Sequence, residues 1–386
     1  MKKDINPPVI IATIMRPEGE TGVQTHFRAI YEWFSKAGMQ IDLITPFGAF
    51  LWIVYPVFGL RRLILLFSKP LSVWWYRYWH AVFLFVNLKK KLADGLPCII
   101  YAQCPLSVKA ALSARVSAAQ KIIMVVHFNI SQADEWSDRG EIVKGESLYL
   151  SIKKFENDIL PKVDALIYVS DFMKRILEGR IPELTNVQSK VIPNFIFDPG
   201  VCEASCTSAD LITIGTLEYR KNQKFALEII SAAKKLDRIL KLTVVGDGPD
   251  RKMLEEYAVS LGVENQIVFL GFRKNAIDLL DGHQAYLHVA HIENLPLTLI
   301  EALAKGLPVF APATGGIPEV FIDEVQGRFI PLDDPGVAAK LIIESLDNND
   351  FMSEIKVSSR GRFLNNFSSD IVAQKIACYF KAVVLG

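Results

Sequence analysis

The sequence predicts an α/β protein with two doubly wound domains, each containing a parallel sheet. Short apolar runs of strand length alternate with helical patterns along almost the whole chain, which indicates βαβ units. The alternation pauses at residues 195–209, where Pro, Gly, Ser and Thr interrupt the periodicity. A chain of 386 residues is also long for one hydrophobic core. We therefore expect one linker and two domains facing a central cleft, with ligands at the carboxyl ends of the strands.

The apolar runs and helical periodicities predict individual elements. We expect strands at residues 9–15, 40–45, 98–101, 122–126, 165–169, 211–214, 242–245, 267–270, 285–289 and 308–311. We expect helices at residues 23–37, 107–119, 222–236, 251–261, 296–304, 336–346 and 370–384. The predicted domains are an N-terminal one at residues 1–197, with an aromatic-basic insertion at 47–91, and a C-terminal one at 210–369. The last helix, residues 370–386, is expected to pack back on the N-terminal domain.

The composition argues against several classes of protein. Hydrophobic residues make up 51% of the chain and charged residues 22%, which is typical of a globular protein and not of a disordered one. A net charge of +1 gives no general reason to expect nucleic acid as a partner. Cys202 and Cys206 could suggest a metal site, but no second pair follows them. We expect no metal site and a reducing, cytoplasmic compartment.

The most informative stretch is residues 293–319. Glu293 and Glu301 lie eight residues apart, and between them Asn294, Leu295 and Pro296 form a turn before an apolar helical segment. The free N–H groups and partial positive charge of a helix N-terminus suit a diphosphate, and the two carboxylates can accept hydrogen bonds from sugar and ribose hydroxyls. The alternative is an ordinary amphipathic helix after a strand. The Gly-Leu-Pro-Val and Gly-Gly-Ile-Pro-Glu stretches that follow favour the functional interpretation.

This stretch resembles the E-x7-E region of retaining GT-B glycosyltransferases of family 4, the glycosyl transferases group 1. The resemblance covers nearly the whole chain and is densest at residues 210–331. It implies a GT-B fold and a nucleotide diphosphate sugar as the donor substrate, with Glu301 on the ribose and Glu293 on the donor sugar. It also implies metal-independent catalysis, with no other cofactor.

Further donor-site residues are expected on the loops of the C-terminal domain. Gly215 ends a strand, and Arg220 and Lys221 open the next helix, where two cations can neutralise a diphosphate leaving group. Gly246 lies in a glycine-rich turn after another strand, and the resemblance implies that this turn lines the nucleotide pocket. Arg273 follows the next strand and is expected near the base. The alternatives are a solvated basic loop and a well-formed βα turn.

The N-terminal domain contributes fewer candidates. Gly22 lies in a loop before the first helix that resembles the family's donor-facing Gly-Gly-Val loop. His127 ends a predicted strand, and the resemblance implies a contact with the donor sugar; the alternative is a buried structural histidine. His26 falls on the first helix, where an ordinary residue of the helix face is the favoured interpretation.

Residues 47–91 hold four of the six tryptophans beside several arginines and lysines. Pro56 and Pro70 are expected to break this region into pieces too short to span a bilayer. Aromatic and basic residues together suit the lipid headgroup interface, while the alternative is a helical hairpin packed on the core. An interfacial role would favour a lipid-linked acceptor and peripheral contact with the cytoplasmic face of the membrane.

We thus expect a hexosyltransferase that uses a lipid-linked glycan or a polysaccharide or lipopolysaccharide precursor as acceptor. A non-catalytic scaffold of a polysaccharide-assembly complex, or another sugar-nucleotide enzyme of this fold such as an epimerase or phosphorylase, stays open. A dinucleotide-dependent oxidoreductase is disfavoured because no G-x-G-x-x-G follows the first strand.

Overall fold

The computed structural model describes residues 7–19, 21–48, 51–201 and 209–385. The chain divides into two compact units, the first formed by Met1–Pro193 with Val372–Gly386 and the second by Asn194–Ile371. Each unit contains a six-stranded parallel sheet with flanking helices, which confirms the predicted α/β class. Cys202 and Cys206, for which no metal site is expected, and part of the predicted linker lie outside the described residues.

The first unit alternates strands and helices from its first strand onward. Its elements are β1 (Val9–Ala12), α1 (Gly22–Lys36), β2 (Ile41–Ile44), α2 (Leu51–Phe67), α3 (Lys69–Lys91), β3 (Cys98–Ala102), α4 (Pro105–Ala114), β4 (Gln120–Val126), α5 (Gln132–Asp138), α6 (Ser147–Ile159), β5 (Ala165–Tyr168), α7 (Asp171–Arg180) and β6 (Gln188–Val191). The strand order is β2-β1-β3-β4-β5-β6, with every pair parallel. The chain therefore changes direction across the sheet between β1 and β3.

The second unit repeats the pattern with another strand order. Its elements are β7 (Ala209–Ile214), α8 (Gln223–Lys235), β8 (Leu242–Val245), α9 (Arg251–Ser260), β9 (Ile267–Gly271), β10 (His283–Leu287), α10 (Leu297–Ala304), β11 (Val309–Ala311), α11 (Ile317–Val320), β12 (Gly327–Phe329), α12 (Pro335–Asp347) and α13 (Asn349–Asn366). The strand order is β12-β11-β10-β7-β8-β9. The order reverses between β7 and β10, so this boundary is the switch point at which doubly wound sheets bind ligands.

The aromatic-basic region forms two helices, α2 and α3. Pro70 lies in the first turn of α3, but Pro56 lies inside α2, so the prediction that Pro56 breaks the region was wrong. A proline at this position removes only one i→i−4 hydrogen bond close to the start of a helix, and α2 continues through it. The indole N–H of Trp75 donates to the Val57 carbonyl at 2.8 Å, and the Phe58 ring stacks on His80 at 4.0 Å. These contacts hold α2 against α3.

The last helix, α14 (Ser369–Leu385), belongs to the first unit from Val372 onward. Its Phe380 ring is fully buried, with its centroid 5.1 Å from the Tyr101 ring and 5.9 Å from the Phe34 ring. The Tyr379 hydroxyl donates to the Leu166 carbonyl on β5 at 3.3 Å. The C-terminal helix is therefore part of the hydrophobic core of the first unit.

We expect Phe380→Ala to lower the free energy of unfolding of the first unit by about 3–5 kcal/mol, because the substitution removes a fully buried aromatic side chain. Urea denaturation followed by circular dichroism measures this loss. Leu385→Ala is the matched control, since Leu385 lies on the same helix and is 87% exposed. A loss below about 1 kcal/mol for Phe380→Ala would show that α14 does not contribute to this core.

Candidate functional site

The candidate site lies at the switch point of the second sheet. The loops that follow β7 and β10 leave the carboxyl edge next to each other, because these strands are neighbours in the sheet. The loop after β7 carries Arg220 and Lys221, and the loop after β10 carries Glu293. The backbone N–H of His291 donates to the Arg220 carbonyl at 3.1 Å, which joins the two loops directly.

Two ion pairs connect these loops. Glu293 is buried, and its carboxylate accepts a hydrogen bond from the Lys221 ammonium. Its other oxygen, Oε2, lies 3.3 Å from Nη1 of Arg220. Arg220 also contacts Glu218, with its Nη2 3.0 Å from Oε1. The structure therefore brings together three of the predicted site residues across 72 positions of sequence.

The charge of Glu293 is set by opposing effects. Burial raises the pKa of the carboxyl group, but the charges of Lys221 and Arg220 outweigh this effect and lower the pKa to about 2. Glu293 is therefore a carboxylate at neutral pH and can only accept hydrogen bonds. It is suited to hold hydroxyl groups or to stabilise a nearby positive charge, and not to donate a proton.

His288 is a neighbour that the sequence analysis did not single out. It follows the last residue of β10 at the switch point and is buried. Burial lowers the pKa of its imidazole to about 4 despite the opposing charge of Glu293, so the ring is neutral at pH 7. Nε2 has no hydrogen-bond partner among the described residues. The signal in the sequence was its place at the carboxyl end of a predicted strand.

Glycines allow the loops around this cluster to approach one another. Gly246 has φ +136°, and a Cβ atom there would lie 1.9 Å from the Gly215 carbonyl oxygen. Gly315 has φ +60°, and a Cβ atom there would lie 2.2 Å from the Glu293 carbonyl oxygen. The same carbonyl accepts a hydrogen bond from the N–H of Gly316 at 2.9 Å. Any larger side chain at position 246 or 315 would push these backbones apart.

Helix α10 begins directly after the cluster. Asn294, Leu295 and Pro296 are buried and lead into the helix, with Pro296 at its N-cap position. The side-chain amide of Asn194, a residue outside the predicted site, donates to the Leu295 carbonyl at 2.9 Å and fixes this turn. Glu301 lies within α10 and is half-buried. The free N–H groups at the start of α10 therefore lie on the same loop as Glu293.

Arg273 lies apart from this cluster. It is exposed and follows β9, the edge strand of the sheet, two strands away from β7. At a strand spacing of about 4.8 Å, the end of β9 is roughly 10 Å from the end of β7. The structure therefore does not group Arg273 with Glu293 and the two cations, and its predicted role near the base stays a prediction.

The predicted residues of the first unit form a second group. The ring of His127 lies 4.4 Å from that of His26, and its Nε2 is 3.3 Å from Oε1 of Gln103. His26 is buried, with Nε2 3.0 Å from the Tyr101 hydroxyl. Desolvation lowers the pKa of His127 to about 3, so its imidazole is neutral at pH 7. His127 and Gln103 directly follow β4 and β3 at the carboxyl edge, and His26 lies on α1. Sequence reasoning missed Gln103 and Tyr101.

Gly22 occupies the first position of α1. The helix is capped by Thr21, whose hydroxyl accepts from the Gln24 N–H, while the Gln24 side chain accepts from the Thr21 N–H. The glycine with a positive φ in this loop is Gly19, at +153°.

As for metal binding, the described ranges contain no group of three or more His, Cys, Asp and Glu side chains arranged to hold an ion.

The low pKa of Glu293 makes its contribution to stability depend on pH. The contribution is complete above the pKa of the unfolded chain, near 4.5, and declines as pH falls toward the folded pKa of about 2. We expect the difference in free energy of unfolding between wild type and Glu293→Gln to fall by about 1.4 kcal/mol between pH 6 and pH 3.5. Urea titrations at both pH values measure it.

Glu344→Gln is the control for this measurement, because Glu344 is an exposed glutamate on α12 with one distant lysine contact at 3.8 Å. Its difference from wild type should stay within about 0.5 kcal/mol at both pH values. A pH-independent difference for Glu293→Gln would mean that Arg220 and Lys221 do not stabilise the charged carboxylate.

Comparison with known proteins identifies the family of the chain. The model of the family "Glycosyl transferases group 1" matches residues 204–362, and the model "Glycosyltransferase Family 4" matches residues 21–197. Among curated proteins, the chain is 27% identical to N-acetyl-alpha-D-glucosaminyl L-malate synthase of Bacillus anthracis over 180 residues, which is 46% of this chain and 47% of that protein. The chain spans about half the length of the curated relatives it matches.

Two solved structures share the fold over almost the whole chain. Sucrose-phosphate synthase from Thermosynechococcus elongatus superposes with a TM-score of 0.75 at 16% identity, covering 98% of this chain and 99% of that one. The Anabaena protein Alr3699/HepE, in complex with UDP and glucose, gives a TM-score of 0.66 at 16% identity, covering 97% and 100%. Two family models that match successive parts of the chain, together with this shared fold, show that the chain belongs to the group 1 glycosyl transferases with a GT-B fold.

Proposed function

We propose that the protein is a retaining glycosyltransferase that moves a hexose from a nucleotide diphosphate sugar to a glycan or glycolipid. The observation that supports this best is the buried Glu293 with Arg220 and Lys221 at the switch point of the second sheet. Two cations against the segment that leads into α10 suit a diphosphate, and the charged carboxylate beside them suits sugar hydroxyls. Retention rests on the family likeness alone.

In this proposal, the two cations stabilise the leaving group. When the bond between the anomeric carbon and the diphosphate breaks, negative charge grows on the diphosphate oxygens and positive charge on the sugar ring. Arg220 and Lys221 are held in place by Glu293 before the donor binds, so little reorganisation is needed. Glu293 is ionised and therefore can attract the positive charge of the ring without transferring a proton.

The rest of the donor site follows from the same loops. We propose that Gly215 and Gly246 let the backbone approach the nucleotide, that Asn294, Leu295 and Pro296 present the N–H groups of α10, and that Glu301 accepts hydrogen bonds from the ribose. No metal ion or other cofactor is required in this proposal, because the cations of the chain balance the diphosphate. A strict requirement for added manganese in donor hydrolysis would contradict it.

The similar proteins indicate which donors to assay first. The HepE structure holds UDP and glucose, and the name of the Bacillus anthracis relative specifies an N-acetylglucosaminyl group. We therefore propose UDP-N-acetylglucosamine and UDP-glucose as the first donors to assay.

We expect Lys221→Ala to lower kcat for donor hydrolysis by about 10²–10³-fold, since it removes one charged donor from the leaving diphosphate. Release of free UDP measures the rate. Lys224→Ala is the matched control, because Lys224 is an exposed lysine one turn further along, on α8, and should leave kcat within about twofold of wild type. Equal rates for Lys221→Ala and wild type would refute the assignment. A wild type that binds donor without turnover would instead indicate a non-catalytic scaffold.

We also propose a peripheral contact with a membrane through helix α2 and its turn into α3. Val54 is fully buried, but Trp52, Leu66 and Phe67 are 76%, 78% and 88% exposed. Exposed apolar side chains this large, beside Arg61 and other basic residues, are typical of helices that lie in the headgroup region. Among the described residues, no helix has the length and apolar character needed to cross a bilayer.

The double substitution Leu66→Glu with Phe67→Glu tests this contact. Burial of each apolar side chain in the bilayer contributes about 1.5–3 kcal/mol to the free energy of membrane binding. We therefore expect the affinity of the double variant for vesicles to fall at least about tenfold. Sedimentation with phosphatidylglycerol vesicles measures binding. Val357→Glu, at a valine on α13 that is 76% exposed, is the control and should bind as wild type does. Deletion of residues 50–85 is less suitable because it removes the fully buried Val73 and Leu84. Unchanged sedimentation of the double variant would contradict the proposal.

A further inference from the structure

A cavity of about 500 Å³ lies in the first unit, among helices α3, α4 and α6. Its size falls within the range of small-molecule sites, roughly 300–1,000 Å³. The surfaces around it are mostly apolar and come from all three helices. Its large side chains include Trp74, Tyr78, Phe85, Leu106, Ile152 and Phe155. Such a lining suits a hydrocarbon chain better than a sugar or a nucleotide, which would need more hydrogen-bonding groups.

The polar groups of the cavity include two cations. The guanidinium carbon of Arg77 lies 5.5 Å from the centroid of the Phe155 ring, and the ammonium of Lys109 lies 5.7 Å from the same centroid. Arg77 is buried and Lys109 is exposed. Among the described residues that line the cavity, none is Asp or Glu. Glu156 on α6, outside the lining, partly offsets the charge of Arg77. Lys109 adds a second cation, so the lining favours a ligand with an anionic group close to its hydrocarbon part.

One side of the cavity continues into the exposed apolar surface at the start of α3. Trp74 and Tyr78 line the cavity and are about half exposed, with their rings stacked at 5.2 Å. Leu71, one turn earlier on the same helix face, is also half exposed and follows closely after Leu66 and Phe67. A lipid tail could therefore pass from a bilayer at this surface into the cavity along apolar side chains.

The cationic end of the cavity is connected to the carboxyl edge of the first sheet. Nη1 of Arg77 donates to the Gln132 side-chain oxygen at 3.2 Å. Gln132 is the first residue of α5, in the segment that follows β4 and contains His127 five positions earlier. Doubly wound sheets bind their ligands at this edge. An anionic group held by Arg77 would thus lie beside the loop that carries His127, while the hydrocarbon chain extends away between the helices.

We propose that this cavity binds the hydrocarbon chain of a lipid-linked acceptor, with Arg77 and Lys109 holding the phosphate next to the chain. The proposal rests on the transferase function proposed above and specifies its acceptor class, an anionic lipid taken up as a single molecule.

Octyl phosphate, used below its critical micelle concentration, is the probe for the hydrocarbon chain. We expect titration calorimetry to detect binding to wild type and an affinity at least about tenfold lower for Ser151→Phe, because the ring fills the cavity. Ser151 lines the cavity from α6 and is exposed, so the substitution should not disturb the core. Ser35→Phe, at an exposed serine of α1, is the matched control. Equal affinities for Ser151→Phe and wild type, or no binding to wild type, would overturn the proposal.

Octyl glucoside, which has the same chain and no charge, separates the role of the cations. We expect wild type to bind octyl phosphate more tightly than octyl glucoside, and Lys109→Glu to lose at least about tenfold of this preference. Lys90→Glu, at an exposed lysine of α3 outside the cavity lining, should keep the preference. An unchanged preference in Lys109→Glu would contradict a phosphate beside this lysine.

Two further measurements separate the possible causes of a negative result. Binding of Ser151→Phe to phosphatidylglycerol vesicles should match that of wild type, because the exposed side chains of α2 are unchanged; a parallel loss would mean that the cavity serves the bilayer surface and not a single lipid. Hydrolysis of UDP-sugars by wild type tests the transferase function independently of any lipid. Donor hydrolysis without octyl phosphate binding would refute the cavity proposal alone.

Discussion

The buried carboxylate of Glu293 is the constraint on which the organisation of the second unit's loops depends. A buried charge is costly unless it is paired, and here the pairing groups are Arg220 and Lys221 on the loop after a different strand. The loops after β7 and β10 must therefore meet at the switch point. Glycines at positions 246 and 315 allow the backbones to come close enough. The same arrangement holds two cations against Glu293, in the segment that leads into α10, where a diphosphate can replace part of the pairing that Glu293 supplies.

The sequence predicted both sheets because parallel strands buried on both faces read as continuous apolar runs. Two edge strands were not predicted, because they lack such an apolar run. β6 is the tetrapeptide QSKV, which alternates between exposed and half-buried residues, and β12 has only three residues. Helix α13 was also not predicted, because only four of its 18 residues are buried and its apolar positions follow no regular stripe. Packing against neighbouring elements, and not the local pattern of apolar residues, determines that these two strands and this helix form.

The candidate site was predicted residue by residue but not as an arrangement. Glu293, Arg220 and Lys221 stood out from their motifs, yet no pattern in the sequence indicates that a lysine and a glutamate 72 positions apart form an ion pair. His288 and Asn194 were not predicted as site residues because the first looked like part of a strand and the second directly precedes the predicted linker. Arg273 also follows a strand, but that strand is at the sheet edge, so its loop lies apart from the cluster and its role near the base stays a prediction. Strand order, which follows from tertiary packing, decides which loops meet.

The roles proposed for the second unit all require that the cations at the switch point bind the diphosphate of a nucleotide sugar. The most direct test is titration calorimetry of UDP, GDP and dTDP against the matching monophosphates on the wild-type protein. We expect one of these diphosphates to bind at least about tenfold more tightly than the monophosphate of the same base, because its second phosphate adds charge-assisted hydrogen bonds with Arg220 and Lys221. Equal affinities for the diphosphate and the monophosphate of every base would contradict the claim.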